Sequence, residues 1–285
     1  MWADPATREP LQRDGVNVLP VNFYSNSPSI EEIRESFEYR EHAPYLDERL
    51  FDGPSMLSLL AELQPFANEF TPGAEFWSNS QFSFSDALAY YSFIRKYRPQ
   101  TIVEIGSGFS TLVALEAVKR NGFGRIICVE PYPRDFLRNA NVELVQQPAQ
   151  SVTDLNEWLT SDGDFLFIDS THTVKTGSDC LHIYLRLLPK LQRRTIVHAH
   201  DIFLPFGLPQ EWLLHKQIFW TEQYLLLALL TDNPRARVLW GSAYLQGFHN
   251  DALTRWMDGK SMAGGGSFWF EYLDCGSVAA AFPHV

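Results

Sequence analysis

Between Thr101 and Tyr272 the chain repeats one pattern: a short run of β-branched and apolar residues, then a longer stretch with apolar positions at helical spacing. The runs are Thr101–Ile105, Arg125–Glu130, Val142–Gln147, Asp164–Asp169 and Thr195–Asp201. They are mostly uninterrupted by polar residues, which predicts strands buried on both faces, as in a parallel sheet. The stretches between them predict helices opening near Ser110 and over 134–140, 151–160, 178–188 (stopped by Pro189) and 211–230, the first with Leu112, Leu115 and Val118 as its apolar stripe. Val238–Leu245 and Ser267–Tyr272 read as two further strands with no clear helix between them, an antiparallel hairpin at the sheet edge. Five βα units and a hairpin make an α/β, Rossmann-like sheet of seven mostly parallel strands with helices on both faces.

The N-terminal part does not share this rhythm. Residues 1–30, rich in proline, asparagine and serine, read as an extended arm. Ser29-Ile-Glu-Glu-Ile-Arg-Glu35 predicts a capped, acidic helix start, and Met56–Leu63 continues helically after Gly53-Pro54. Residues 75–98 concentrate aromatics (Phe76, Trp77, Phe82, Phe84, Tyr90, Tyr91, Phe93, Tyr97), with Ser85 or Asp86 capping a helix that runs to about Tyr97. These rings either pack on the sheet or line an apolar pocket. The chain thus divides into an arm and cap, 1–75, and a core, 76–285.

Composition narrows the partners. The net charge of −11 and the lack of a basic run argue against a nucleic-acid partner. No run approaches the ~20 apolar residues of a membrane span, and the N-terminus has no signal-peptide pattern, so no membrane role and a cytoplasmic location are expected. Cys128, Cys180 and Cys275 are widely spaced and fit reduced core thiols. A small-molecule partner remains, and a homodimer is compatible with the chain.

In an open α/β sheet, ligands bind beyond the carboxyl ends of the strands. Those ends carry Gly106, Glu130, Gln147, Asp169 and His200-Asp201. After Thr101–Ile105, Gly106-Ser107-Gly108 makes a turn in which both glycines can take positive φ, and Ser110 and Thr111 cap the helix that follows. A dinucleotide fingerprint would place a third glycine where Thr111 stands, which disfavours an NAD enzyme. Glu130, 24 positions after Gly106, can accept both hydrogen bonds of a ribose diol. Asp169, His172, His200 and Asp201 gather imidazoles and carboxylates at adjacent strand ends, while His198 reads as a core histidine. Two chemistries fit the cluster. His172 or His200 is a general base polarised by Asp169 or Asp201, or Asp169, His200 and Asp201 hold a divalent metal, magnesium or similar, that acidifies an acceptor oxygen.

The order Glu104-Ile-Gly106-Ser-Gly108, Glu130, Phe167-Ile-Asp169 and His198-Ala-His200-Asp201 resembles the class I S-adenosylmethionine-dependent methyltransferases. Phe167–Asp179, His198–Pro205, Trp220–Leu227 and Gly265–Trp269 are similar to a bacterial branch of small-molecule and natural-product methyltransferases. The resemblance implies S-adenosylmethionine as cofactor. Its methionine part would lie at Glu104, Gly106, Ser107, Gly108, Ser110 and Thr111, its ribose at Glu130 and Pro131, and its adenine at Gln147 and Ala149, with Asp169 alongside. It further implies methyl transfer to a small-molecule hydroxyl, or to nitrogen at the same site. Related metal-dependent O-methyltransferases carry Asp-Asn or Asp-Asp where this chain has His200-Asp201. A protein that binds the cofactor without catalysis is the rival reading, and the His172, His200 and Asp201 cluster speaks against it.

Overall fold

The computed structural model describes residues 4–17, 22–73, 79 and 81–273. Phe76, Trp77 and Cys275 lie outside them, and two compact units emerge. The first comprises residues up to 44 together with 208–219. It opens on helix α1 (Pro5–Arg13), where an extended arm was expected. Asp4 caps it by accepting from the Ala6 N–H, and Pro5 occupies the first turn, where its fixed φ favours a helix and its missing N–H costs nothing. Helix α2 (Ile30–Glu35) has the expected capping box between Ser29 and Glu32, and α3 (Phe37–Arg40) follows, capped by Ser36. Trp212–Lys216 forms one π-helical turn and ends at Gln217 with φ 52°. The expected helix over 211–230 is therefore broken, because Ile218-Phe219-Trp220-Thr221 is a run of aromatic and β-branched residues with low helix propensity.

The second unit holds residues 45–207 and 220 onward. Helix α4 (Gly53–Glu69) is capped by Asp52, and α5 (Phe84–Tyr97) precedes the sheet. Then come β1 (Thr101–Ile105), α6 (Phe109–Asn121), β2 (Arg125–Val129), α7 (Asp135–Arg138), β3 (Glu143–Val145), β4 (Asp164–Ile168), α8 (Asp179–His182), β5 (Thr195–Ala199), α9 (Glu222–Leu230), β6 (Ala236–Gly241), α10 (Ser242–Phe248), α11 (Asn250–Met257) and β7 (Phe268–Tyr272). The sheet has the order β3-β2-β1-β4-β5-β7-β6, parallel except for β7, which pairs antiparallel with both neighbours. This is the expected Rossmann-like architecture.

Three connections differ from expectation. Residues 151–160 form no α-helix. Asp154 accepts the Asn156 N–H in a tight Asx turn, and the Asn156 amide is drawn away to the Lys190 carbonyl. The helix expected over 178–188 starts at its Ser178 cap but relaxes after α8 into a π-helical turn, Ile183–Leu187. Strands β6 and β7 do pair antiparallel, but α10 and α11 lie between them in sequence, with Trp256 of α11 buried against Trp240 at 5.3 Å. In α6 the buried apolar positions are Val113, Ala114 and Ala117 rather than Leu112, Leu115 and Val118. Small residues let that helix approach the sheet closely, and the leucines fall to its half-exposed flank.

One row of side chains across the sheet explains how α5 is seated. Cys128, Glu104, Phe167, His198, Trp269 and Trp240 are register partners on successive strands. Tyr90 of α5 stacks on Phe167 at 5.0 Å, and Phe93 stacks on Trp269 at 3.9 Å. His198 lies in this row, stacked on Trp269 at 4.0 Å with its Nε2 3.0 Å from the Ser267 hydroxyl. Burial holds its imidazole neutral, well below the usual range. It is a core histidine, as its pattern suggested.

Candidate active site

The strand order reverses between β1 and β4, so the crevice of the fold opens at that pair. The ends of β3, β2 and β1 carry Gln147, Glu130 and Gly106 on one side of it, and the ends of β4 and β5 carry Asp169 and His200 on the other. Gly106 sits at the junction with φ +83°, and a Cβ there would stand 1.7 Å from the Asp169 carbonyl oxygen. Its N–H donates to the Val129 carbonyl, and the Asp169 N–H donates to the Ile105 carbonyl. The glycine turn and the first residue of the polar cluster are thus in backbone contact. Gly108 differs. Its φ of −175° is open to any residue, and nothing lies within 4 Å of where its Cβ would be.

The turn is braced from two sides. Glu130 accepts the Ser107 N–H at 3.2 Å through Oε2 and the Tyr132 N–H at 2.8 Å through Oε1, which ties this half-buried carboxylate to the glycine turn. Pro131 and Gln147 are half-buried beside it, and Ala149 is buried in a short 3₁₀ turn. Ser110 and Thr111 are buried in the first turn of α6. Glu104 lies beneath them, fully buried, accepting from the Thr111 hydroxyl and from the Tyr90 hydroxyl at 2.9 Å. The Thr111 hydroxyl in turn accepts the Gly108 N–H at 3.2 Å. Glu104 therefore supports the turn from below.

Burial pushes the Glu104 carboxyl up to about 7, against its hydrogen bonds from Thr111 and Tyr90. Between the ordinary value of 4.5 and about 7 only the folded chain keeps this proton, so stability falls as pH rises through that window and levels above it. Glu104→Gln removes the effect. Relative to wild type, it should gain up to about 3 kcal/mol between pH 4.5 and 8 in denaturant unfolding. A stability difference that does not change with pH would show that Glu104 ionises normally.

The polar cluster has six members: Asp169, His172, His200 and Asp201, joined by Asp86 and Glu222. In sequence Asp86 reads only as a helix cap, and Glu222 as one of a polar pair with Gln223 at the edge of an apolar run, facing either the acceptor site or solvent. Asp169 Oδ1 lies 3.2 Å from His172 Nε2 and 3.5 Å from His200 Nδ1. Asp201 Oδ2 lies 3.7 Å from His200 Nδ1 and 3.9 Å from His172 Nε2. Behind His172, Glu222 Oε2 is 2.7 Å from Nδ1. Behind His200, Asp86 Oδ2 is 3.2 Å from Nε2, an ion-pair distance without the alignment of a hydrogen bond. Asp86 also accepts the Ser267 N–H at 3.0 Å and its hydroxyl at 2.9 Å, which fixes the carboxylate. Of the six, only the Asp169 and Asp201 side chains reach solvent appreciably, at 30% and 22% exposure, so the cluster opens to solvent on their side.

The electrostatics follow from this crowding. Burial would lower both imidazoles, but the surrounding carboxylates outweigh it, lifting His172 to about 10 and His200 well above its usual range. Asp169 is held well below the carboxylate range because His200 and His172 outweigh its burial, whereas burial wins at Asp201 and raises it. His200 Nδ1 has no hydrogen-bond partner although it is buried. With Asp169 and Asp201 it forms a set of one nitrogen and two carboxylate oxygens, all within 4.8 Å of one another. Cis donors around a small divalent ion stand roughly 3 Å apart, so the set would hold such an ion once its donors close in from their 3.5 and 3.7 Å separations from His200 Nδ1. Three carboxyl groups of Asp169, Asp201 and Asp86, with Glu222, face only two imidazoles, an imbalance a cation relieves.

A family model described as a methyltransferase domain matches residues 103–202, the span from the glycine turn through His200-Asp201. The chain belongs to the class I S-adenosylmethionine-dependent methyltransferases. This methyltransferase is also 37% identical over 153 residues to an uncharacterised protein of Archaeoglobus fulgidus, an alignment that spans 47% of this chain and 69% of the relative. Among solved structures it is similar to a putative O-methyltransferase from Klebsiella pneumoniae (14% identity, TM-score 0.42, 82% of this chain and 96% of that one). It is also similar to an O-methyltransferase from Bacillus cereus in complex with S-adenosylhomocysteine (14% identity, TM-score 0.41, 77% and 91%). No helix among the described residues is long and apolar enough to cross a membrane.

Glu130 offers a direct check on the ribose end of the methyltransferase. Removal of a charged hydrogen-bonding partner is worth about 1.5–3 kcal/mol, so Glu130→Ala should weaken S-adenosylhomocysteine by about 10- to 100-fold in isothermal titration. Affinity within twofold of wild type would place the ribose elsewhere.

Proposed function

We propose that the methyltransferase moves the methyl group of S-adenosylmethionine to a hydroxyl oxygen of a small-molecule acceptor held at Asp169, His200 and Asp201 with a divalent cation. The observation that carries this reading is the buried, unpartnered His200 Nδ1 facing two carboxylates beside the glycine turn. Asp86 supports it. A carboxylate behind the far nitrogen of a histidine orients the ring and favours the tautomer whose lone pair points at the ligand.

In this reading Gly106–Gly108 and Glu130 hold the cofactor, with Ser110, Thr111, Gln147 and Ala149 around it. The contact between Gly106 and Asp169 brings the sulfonium to the edge of the polar cluster. The acceptor oxygen attacks the methyl carbon in line with the C–S bond, from roughly 3 Å, and S-adenosylhomocysteine leaves as a neutral thioether. A divalent cation, when bound, would lower the pKa of the acceptor hydroxyl and hold its oxygen. Asp169 and Asp201 orient the acceptor, and their exposed side gives its proton a route to water. His172 is a clamp rather than the base: Glu222 takes one ring nitrogen and Asp169 the other, leaving no free lone pair.

The test is release of S-adenosylhomocysteine with a panel of phenols, sugars and amines, before and after treatment with EDTA. Turnover on hydroxylated acceptors should fall at least tenfold with EDTA and return with Mn²⁺ or Mg²⁺. Turnover confined to amines, or indifferent to the chelator, would overturn the oxygen or the metal part of the reading respectively.

A further inference from the structure

We infer that Glu222 is a positioning residue of this methyltransferase, acting through His172 on the Asp169 carboxylate; the inference rests on reading Asp169, His200 and Asp201 as the acceptor centre. Glu222 is 1% exposed and is the first residue of α9. Its two oxygens have separate partners. Oε1 accepts from the Tyr184 hydroxyl at 2.7 Å, and Oε2 pairs with His172 Nδ1 at 2.7 Å. A carboxyl group so far from water is costly unless its pairing is complete, and here both oxygens are paired.

The backbone around Glu222 grips the same target. The N–H groups of Thr221 and Glu222 both donate to the His172 carbonyl, at 2.8 and 3.1 Å. The Thr221 hydroxyl accepts the Val174 N–H at 2.7 Å, and the Trp220 ring packs tilted against the His172 ring, their centroids 4.3 Å apart. From the other side, Asp179 takes the Thr171 N–H at 3.0 Å and its hydroxyl at 2.6 Å. His172 has φ +56°, a left-handed conformation that a histidine keeps only when its surroundings hold it. All of these contacts converge on the loop that follows Asp169.

The hydrogen bonding then dictates an orientation. Glu222 Oε2 accepts, so Nδ1 carries the proton and donates, and Nε2 is the atom turned to Asp169 Oδ1 at 3.2 Å. Removing Glu222 frees the imidazole to rotate and releases Asp169 Oδ1 from one of its two neighbours. Glu222 touches none of Asp169, His200 or Asp201 in doing so; His172 is the intermediary.

The experiment compares Glu222→Ala, Glu222→Gln and Tyr184→Phe with wild type in three measurements. They are S-adenosylhomocysteine affinity by titration calorimetry, Mn²⁺ affinity by electron paramagnetic resonance, and the ¹³C-carboxyl resonance of Asp169 in metal-free protein, assigned with Asp169→Asn. Loss of a partner behind a ligand typically weakens a metal 10- to 100-fold, so Glu222→Ala should weaken Mn²⁺ by about tenfold or more. It should leave S-adenosylhomocysteine within twofold, and Glu222→Gln, which keeps one acceptor, should recover part of the loss. The Asp169 resonance should move in both Glu222 variants and less in Tyr184→Phe.

An unmoved Asp169 resonance in Glu222→Gln overturns the inference whether or not Mn²⁺ binds. So does Mn²⁺ affinity within twofold of wild type in Glu222→Ala, or a parallel loss of S-adenosylhomocysteine affinity, which marks a general structural role. If wild type itself binds no Mn²⁺ while the Asp169 resonance moves, the metal reading fails and the positioning role stands.

Discussion

Gly106→Ala should abolish cofactor binding. Alanine at φ +83° is strained by about 1–3 kcal/mol from the backbone alone. Its methyl would also stand 1.7 Å from the Asp169 carbonyl oxygen, and neither backbone can yield without separating β1 from β4 where the Asp169 N–H meets the Ile105 carbonyl. The expected result is a loss of S-adenosylhomocysteine affinity of at least about 100-fold, with a lowered unfolding midpoint. Gly108→Ala is the control that separates fold from ligand. Its φ of −175° tolerates a side chain and open space surrounds its Cα, so the unfolding midpoint should not change. Affinity should still fall, because the cofactor needs the room. If Gly108→Ala binds S-adenosylhomocysteine as wild type does, the cofactor does not pass over the turn.

His200→Ala should have the largest effect on turnover. It removes the only nitrogen from the Asp169, His200, Asp201 set and leaves Asp86 buried opposite a void. Loss of electrostatic stabilisation at the reacting oxygen is worth several kcal/mol, so turnover should fall by about 10³-fold. S-adenosylhomocysteine should bind within a few-fold of wild type, because the proposed cofactor contacts lie on the β1–β3 side of the crevice. To show that any loss belongs to His200 rather than to an unpaired Asp86, His200→Ala is paired with His200→Ala/Asp86→Ala. Turnover near wild type in either variant would remove His200 from the reaction.

The parts legible in the sequence were those whose cause is local. The strand Thr101–Ile105 and the turn at Gly106 were set by neighbours along the chain. His198 reads as core because a lone imidazole within an apolar strand ordinarily packs there, and the structure places it in the Phe167–Trp269 row. Helix phase in α6 was misread because apolar residues line two faces, and only contact with the sheet selects the small one. Residues 151–160 carry helical spacing but lose the helix to side chains that compete for the backbone, as Asp154 does.

The role of Asp86 is not legible in this way, and that of Glu222 only as one alternative for a polar pair that faces either the site or solvent, because each is defined by a partner far along the chain. Asp86 takes Ser267 from 181 positions away, and Glu222 takes His172 from 50. Asp86 was read as a helix cap, since an acid near a helix start ordinarily serves there; the cap position is Ser83, and Asp86 turns inward. An acidic residue inside an aromatic, otherwise buried helix was the one available signal. For Glu222 it was a polar pair opening an apolar run, a pattern that a solvated helix end shares.

A crystal grown with S-adenosylhomocysteine and Mn²⁺ and measured at the manganese edge puts both halves of the site on view at once. The ribose hydroxyls should lie on Glu130, the sulfur near Gly106 and Asp169, and an anomalous peak within bonding reach of Asp169, His200 Nδ1 and Asp201. Ribose density away from Glu130, or a cluster with no manganese while the compound is fully bound, would contradict the account.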